Sequence, residues 1–236
     1  MIMRADLSHV SEWVFDLDNT LYDPAADLFK QIDARMCDYV ARLLKIDIAE
    51  AKRLQKLYYV DHGTTLSGLM ALHEVDPHDY LEYVHDIELS ALEHNPRLAA
   101  AIAALPGRRF VFTNGSRHHA ERVLDRIGLN DLFHDLFDIV ATDFTPKPHA
   151  DAFHRLLDRH VIHPEKAVLF EDMERNLETA HALGFTTVLV TSNKDWSHEP
   201  AGVRPAALDA RPHFADYVTS DLTGFLEDKA LLAPRG

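Results

Sequence analysis

Asp16 and Asp18 are separated by one residue, and in extended chain both side chains point to the same side. Carboxylates so placed suit phosphoryl transfer, in which one attacks phosphorus while the other handles the leaving-group proton. The attacking carboxylate forms an acyl-phosphate, which divides one hard displacement into two easier ones. Asp18 would give a proton to the departing alcohol and then take one from the attacking water. Thr113-Asn114, Lys147 and Glu171-Asp172 add a hydroxyl, an ammonium and two more acids. The acids suit a hard divalent cation bound through oxygen, with Mg²⁺ favoured because it accepts a few carboxylates plus substrate phosphate. The hydroxyl, the lysine and helix N-termini suit phosphate oxygens, with Lys147 stabilising charge on the equatorial ones.

Each piece alone has a plainer role. Asp-x-Asp is commonly a turn or a solvated pair, and Thr113-Asn114-Gly115-Ser116 reads as a strand-to-helix turn with a capping serine. Lys147 between two prolines reads as a loop lysine, and Glu171-Asp172 as acids at the positive end of a helix. Their weight comes from a shared location. Trp13–Phe15, Phe110–Phe112, Ile139–Ala141, Ala167–Phe170 and Thr187–Val190 are short apolar runs, each ending in polar residues. Such runs predict strands buried on both faces, as in a parallel sheet. Helical periodicity over Ser116–Ile127, Pro148–Arg159 and Arg175–Leu183 alternates with them, with Gly128 and Gly184 as expected C-terminal caps and Pro148 in a first turn. This alternation predicts a doubly wound α/β fold, and in such sheets ligands bind outside the carboxyl ends of the strands. The polar pieces fall at those ends.

The first two strands are too far apart for one crossover. Ala26–Leu44, Ile48–Val60, Thr65–Glu74 and Pro77–Leu92 carry helical patterns instead, roughly 70 residues of them against the usual dozen or so. The expected architecture is a doubly wound parallel-sheet (Rossmann-like) core, residues 1–22 and 96–236, with an inserted α-helical domain at 23–95. Trp196–Pro212 reads as a proline-rich surface loop, Tyr217-Val218 as an edge strand and Leu222–Leu232 as a last helix.

Composition narrows the partners. The chain has 236 residues, 24 Lys+Arg against 38 Asp+Glu, and a net charge of −14, which disfavours nucleic-acid polymers and anionic membranes. A small anionic substrate stays compatible if a cation and a few positive groups gather around it. With 47% hydrophobic residues the chain can bury a full core, and its single cysteine, Cys37, permits no internal disulfide. No apolar run approaches the ~20 residues of a spanning helix, and acids interrupt the N-terminal segment. These features lead us to expect a cytoplasmic protein.

At Asp16-Leu17-Asp18-Asn19-Thr20-Leu21, Phe112-Thr113-Asn114, Lys147-Pro148 and Glu171-Asp172 the chain resembles the haloacid dehalogenase (HAD) superfamily of phosphohydrolases. The resemblance implies Asp16 as nucleophile and Asp18 as acid/base. It also implies Mg²⁺ held by Asp16, the Asp18 carbonyl and Asp172, with Glu171 reaching the metal through water, and phosphate contacts from Thr113 and Lys147. Asn19 stands where many relatives have Gly, and Asn176 where a second acid can occur. The insertion looks like that family's helical cap. Asp18-Asn19-Thr20-Leu21-Tyr22, Tyr58-Tyr59 and Gly63-Thr64-Thr65-Leu66-x-Gly68-Leu69 look like its pyrimidine 5′-nucleotidase group, as do Lys147-Pro148-His149 and Asn176. That implies hydrolysis of UMP- or CMP-like nucleoside monophosphates, with Asn114, Tyr58, Tyr59 and Thr65 near substrate. The two tyrosines could stack a base, or could simply pack helices.

Three other readings compete. A sugar-phosphate or phosphoglycolate phosphatase or phosphomutase shares the same machinery. A receiver-type switch also phosphorylates an aspartate, although the insertion and Asp18 speak for hydrolysis. A dehalogenase of the same superfamily would need no metal and would lack the aspartate at position 18. The sixteen histidines include no zinc-binding spacing, and among them His118 is the one expected to reach a substrate. Cys37 is expected in helix packing. No Walker loop or dinucleotide fingerprint occurs.

Overall fold

The computed structural model describes residues 6–197, 199 and 204–228. Among these, six strands form one sheet: β1 (Glu12–Phe15), β2 (Arg108–Phe112), β3 (Asp135–Phe137), β4 (Ala167–Glu171), β5 (Thr186–Val190) and β6 (Tyr217–Thr219). Their spatial order is β3-β2-β1-β4-β5-β6, with every neighbouring pair parallel. The alternation of a strand sends successive side chains to opposite faces. Trp13, Phe15, Val111, Val168 and Phe170 therefore pack into one core layer, while Val14, Phe110, Phe112 and Leu169 pack into the other. Phe15 and Phe170 stack across adjacent strands with centroids 4.6 Å apart. Full burial of each such side chain stabilises by about 1.5–3 kcal/mol, which is why continuous apolar runs settle in the centre of the sheet.

Between β1 and β2 stand α1 (Leu28–Leu44), α2 (Ile48–His62), α3 (Thr65–His73) and α4 (Pro77–His85). They share their own apolar cluster, including Cys37, Val40, Tyr58, Leu69, Tyr80 and Val84. Local chemistry fixes their starts: Asp47, Thr64 and Asp76 each accept a backbone N–H of the first turn, and Pro77 occupies a first-turn position. Gly68 lets α3 lie against α2, since a Cβ there would come within 2.5 Å of Tyr58 Cβ. The expected helix to Leu92 ends at His85 instead. Arg122 donates to the carbonyls of His85 and Ile87, and Arg126 to those of Leu89 and Ser90, so the return segment satisfies its carbonyls without helical bonds.

The remaining helices cover both faces of the sheet. α5 (Pro96–Ala103), α6 (Arg117–Ile127) and α9 (Leu222–Glu227) pack on one, and α7 (Ala150–His160) and α8 (Glu174–Ala182) on the other. Helix α5, started by the Asn95 cap and Pro96, has no counterpart in the sequence reading. Ile139–Ala141 is a turn rather than a strand. The strand ends at Phe137 because Asp138 accepts the N–H groups of Arg117 and Ala141. Pro148 precedes α7 rather than starting it. The last helix stops at Glu227, and its expected end at Leu232 lies outside the described residues. No helix among the described residues is long and apolar enough to cross a membrane.

Candidate active site

The carboxyl ends of β1, β2 and β4 are adjacent, and each delivers a polar residue to the same place. Asp16 follows β1, and its N–H extends the sheet by donating to the Phe170 carbonyl at 2.9 Å. Thr113 follows β2, and Glu171 closes β4 with Asp172 next. Position 19 turns the chain away from the sheet with φ +62°, a left-handed conformation that asparagine tolerates, so Asn19 can do there what glycine would.

Lys147 sits at the centre. Its ammonium, 1% exposed, donates to Asp16 Oδ1 at 2.7 Å, Glu171 Oε2 at 2.7 Å and the Phe112 carbonyl at 2.8 Å. All three donors are therefore used. Asn114 aligns the loop that carries it, accepting the Lys147 N–H at 2.8 Å and donating to the Lys147 carbonyl at 3.0 Å. Asn114 thus borders the cleft chiefly as a support for Lys147. Thr113 Oγ1 accepts the Gly115 N–H at 2.9 Å, which fixes the hydroxyl beside the acids.

The carboxylates of Asp16, Glu171 and Asp172 are buried, and an oxygen from each lies within 4.8 Å of the others. One ammonium cannot balance three acids, and the electrostatics show it. Burial and the charge of Glu171 raise the Asp16 carboxyl to about 7 despite Lys147. Burial, Glu171 and Asp16 push the Asp172 carboxyl well above its ordinary range. Oxygen-only ligands in a buried, under-compensated cluster fit a hard divalent cation. Glu171 is also held through Oε1, which accepts the Met173 N–H at 3.2 Å.

Asp18 lies beside this cluster in a different environment. Its Oδ1 accepts from Tyr22 Oη at 2.7 Å and from His119 Nε2 at 2.9 Å. Burial alone would raise its carboxyl, but the His119 imidazole with the two hydrogen bonds draws it down to about 2. Two neighbouring carboxyls are thereby driven apart, Asp16 upward and Asp18 downward. His119 is wholly buried, whereas its neighbour His118 is exposed, so the histidine beside the acids is not the one expected. The neighbourhood of Asp18 also includes His85 at the end of α4, whose ring stacks on His119.

Above the acids opens a cleft between sheet edge and helical insertion. Tyr59 and Thr65 line it, together with Phe29, Met36, Gln55 and Leu81. Tyr58 does not. It is buried against Gly68, and its hydroxyl pairs with His73 Nε2 at 2.7 Å. On α2 the two adjacent tyrosines point about 100° apart, so only one can face the sheet. Tyr59 in turn holds Arg175 of α8, whose guanidinium donates to its hydroxyl and lies 4.5 Å over its ring. Asn176 lines the cleft as well. So do Trp196, Glu199 and Pro205, which makes the expected surface loop part of the site wall. Glu199 there pairs with Lys56 of α2 at 2.7 Å.

Known proteins resemble this chain in sequence or in fold. The curated relative "Phosphate metabolism protein 8" of Saccharomyces cerevisiae is 26% identical over 193 residues, 74% of this chain. The chain spans 60% of that relative's length. Among solved structures, a HAD phosphatase from Thermococcus onnurineus is similar with a TM-score of 0.57 at 18% identity, covering 89% of this chain and 93% of its own. An L-2-haloacid dehalogenase from Xanthobacter autotrophicus has a TM-score of 0.54 at 19% identity, covering 92% and 97%. These likenesses establish the shared fold. The haloacid dehalogenase-like hydrolase family matches residues 14–184, from β1 through α8, and a second HAD-hydrolase-like family matches 144–225. With most of the chain and the whole acid cluster inside the first match, the protein belongs to the haloacid dehalogenase-like hydrolases.

Proposed function

We propose that the protein is a Mg²⁺-dependent phosphomonoester hydrolase working through an aspartyl-phosphate, with a pyrimidine nucleoside monophosphate such as UMP or CMP as substrate. The observation that carries this reading is the placement of Asp18 next to, but electrostatically apart from, the Lys147–Asp16–Glu171 group. Lys147 holds Asp16 Oδ1, which leaves the other carboxylate oxygen to attack phosphorus. The P–O bond to the alcohol breaks, and Asp18 gives its proton to the departing oxygen. In the second half, water attacks the same phosphorus, Asp18 takes the water's proton, and the P–O bond to Asp16 breaks to release phosphate.

Without substrate Asp18 is a carboxylate, the form that accepts the water's proton. Arrival of an anionic phosphate opposes that charge and favours the protonated form the leaving oxygen needs. Asp16, Asp172 and the Asp18 carbonyl would hold the cation, with Glu171 at one remove. When bound, Mg²⁺ supplies charge neutralisation between the carboxylates and the phosphate. Thr113 orients a phosphate oxygen, and Lys147, whose three N–H groups are engaged within the protein, stabilises the phosphate by its charge. The helices at 23–95 form a cap that shields the reaction from water and contacts the leaving group through Tyr59 and Thr65.

The yeast relative's name associates it with phosphate metabolism, which accords with this chemistry. Asp18 also weighs against dehalogenation, which requires no proton for a departing halide. The test is phosphate release from a panel of phosphomonoesters with and without Mg²⁺. UMP and CMP should lead the panel and chelation should stop turnover. Equal or better rates with sugar phosphates or phosphoglycolate would replace the nucleotidase assignment with a broader phosphatase.

A further inference from the structure

The surroundings of Asp18 contain more apparatus than a lone acid/base group needs. Both of its donors, the Tyr22 hydroxyl and the His119 imidazole, converge on the same oxygen, Oδ1. Among the described residues nothing donates to Oδ2, and Asp18 borders the cleft. A carboxylate oxygen already accepting two hydrogen bonds is poorly placed to exchange a proton with a third group, because its lone pairs are engaged. Oδ2 is the atom left for that exchange.

His119 is itself braced. It lies in the first turn of α6, where Ser116 caps the helix and accepts the His119 N–H at 3.3 Å. The Ser116 hydroxyl also lies 3.1 Å from His85 Nδ1. The His85 ring stacks on the His119 ring with centroids 4.5 Å apart and an interplanar angle of 15°. His85 is in turn fixed by Arg122, which donates to its carbonyl at 2.9 Å. The imidazole is therefore clamped between the end of the helical insertion and the core, with its Nε2 directed at Asp18.

We propose that His119 is the positioning residue for Asp18: by holding Oδ1 it presents Oδ2 to the leaving-group oxygen. The proton then passes from Oδ2 to that oxygen as the P–O bond breaks, and from the attacking water to Oδ2 in the second half. The inference rests on Asp18 being the acid/base group of the proposed reaction. His119 touches neither substrate nor phosphorus and acts through Asp18 alone.

The test compares leaving groups. The value of kcat/KM reports the step that forms the aspartyl-phosphate, so it is measured for the best alkyl phosphate of the panel and for p-nitrophenyl phosphate. An alkoxide needs a proton to depart, whereas p-nitrophenolate does not. His119→Leu should lower kcat/KM about 100-fold on the alkyl ester and far less on the aryl ester. His119→Gln, whose amide nitrogen reaches the position of Nε2, should return the alkyl ester to within about tenfold of the parent. Asp18→Asn serves as reference and should show the same leaving-group discrimination.

Discrimination in Asp18→Asn but none in His119→Leu would overturn the positioning role. An equal fall on both esters in His119→Leu, without recovery in His119→Gln, would also overturn it, since that is the pattern of a structural residue. Absence of discrimination in Asp18→Asn would remove the acid/base reading itself, and the proposal with it. If His119→Leu does not fold, His119→Asn makes the same comparison, because its shorter amide withdraws the donor from Asp18.

Discussion

Lys147 Nζ lies 2.7 Å from Asp16 Oδ1, and both groups are buried at the carboxyl edge of the sheet. The contact fixes one oxygen of the proposed nucleophile and neutralises part of a cluster that would otherwise hold three acids and no cation. Removing one partner of a buried pair leaves an uncompensated charge, typically at a cost of about 3–5 kcal/mol. Lys147→Met should therefore lose about 3 kcal/mol in urea unfolding and at least about 100-fold in kcat. Unchanged stability with retained turnover would mean that the contact matters to neither.

The acid cluster predicts how stability varies with pH in protein stripped of metal. Asp16 is raised from 3.8 to about 7, so its contribution to stability is fully present below 3.8 and is lost as pH rises through about 7. Metal-free protein should accordingly melt at progressively lower temperature across that window. Asp16→Asn should make the decline shallower, and the remainder belongs to Asp172, which is raised as well. Mg²⁺ competes with the proton for the same oxygens, so its binding should strengthen with pH and release protons into weak buffer. Calorimetry in buffers of different ionisation enthalpy measures that release; none at pH 6 to 7 would contradict the assignment of the ligands.

Adjacent tyrosines on α2 should behave oppositely. Tyr59 lines the cleft, and Tyr59→Ala should raise KM for UMP about tenfold while changing kcat on p-nitrophenyl phosphate little. Tyr58→Phe removes only the bond to His73 and should cost about 1 kcal/mol of stability with KM unchanged. Steady-state kinetics beside thermal melts separate the two, and the reverse pattern would show that the base is bound elsewhere.

Much of this site is legible in the sequence because its residues sit directly at strand ends. Asp16, Thr113 and Glu171 follow apolar runs whose burial fixes the sheet, and the sheet brings them together whatever the loops do. Lys147 is legible for a related reason, since the loop after β3 must return over the same edge. His119 is not. Its role depends on Ser116 starting α6 at one particular residue, so that position 119 rather than 118 faces Asp18. Sixteen histidines give no means of choosing between them. The false strand at Ile139–Ala141 and the overlong fourth helix have the same origin. Side chains distant in sequence, Asp138 capping Arg117 and the arginines of α6 capping the return segment, decide where backbone hydrogen bonds end. Trp196 and Glu199 are not legible in the sequence because a proline-rich stretch carries no periodicity to show which side chains turn inward.

Asp16 should become phosphorylated in turnover. Acid quenching of protein mixed with Mg²⁺ and the best substrate of the panel, followed by peptide mass mapping, tests it directly. One phosphoryl group is expected on Asp16, formed before free phosphate is released and absent from Asp16→Asn, which should not turn over. Full-rate phosphate release by Asp16→Asn, or a phosphoryl group found only on another residue, would contradict it.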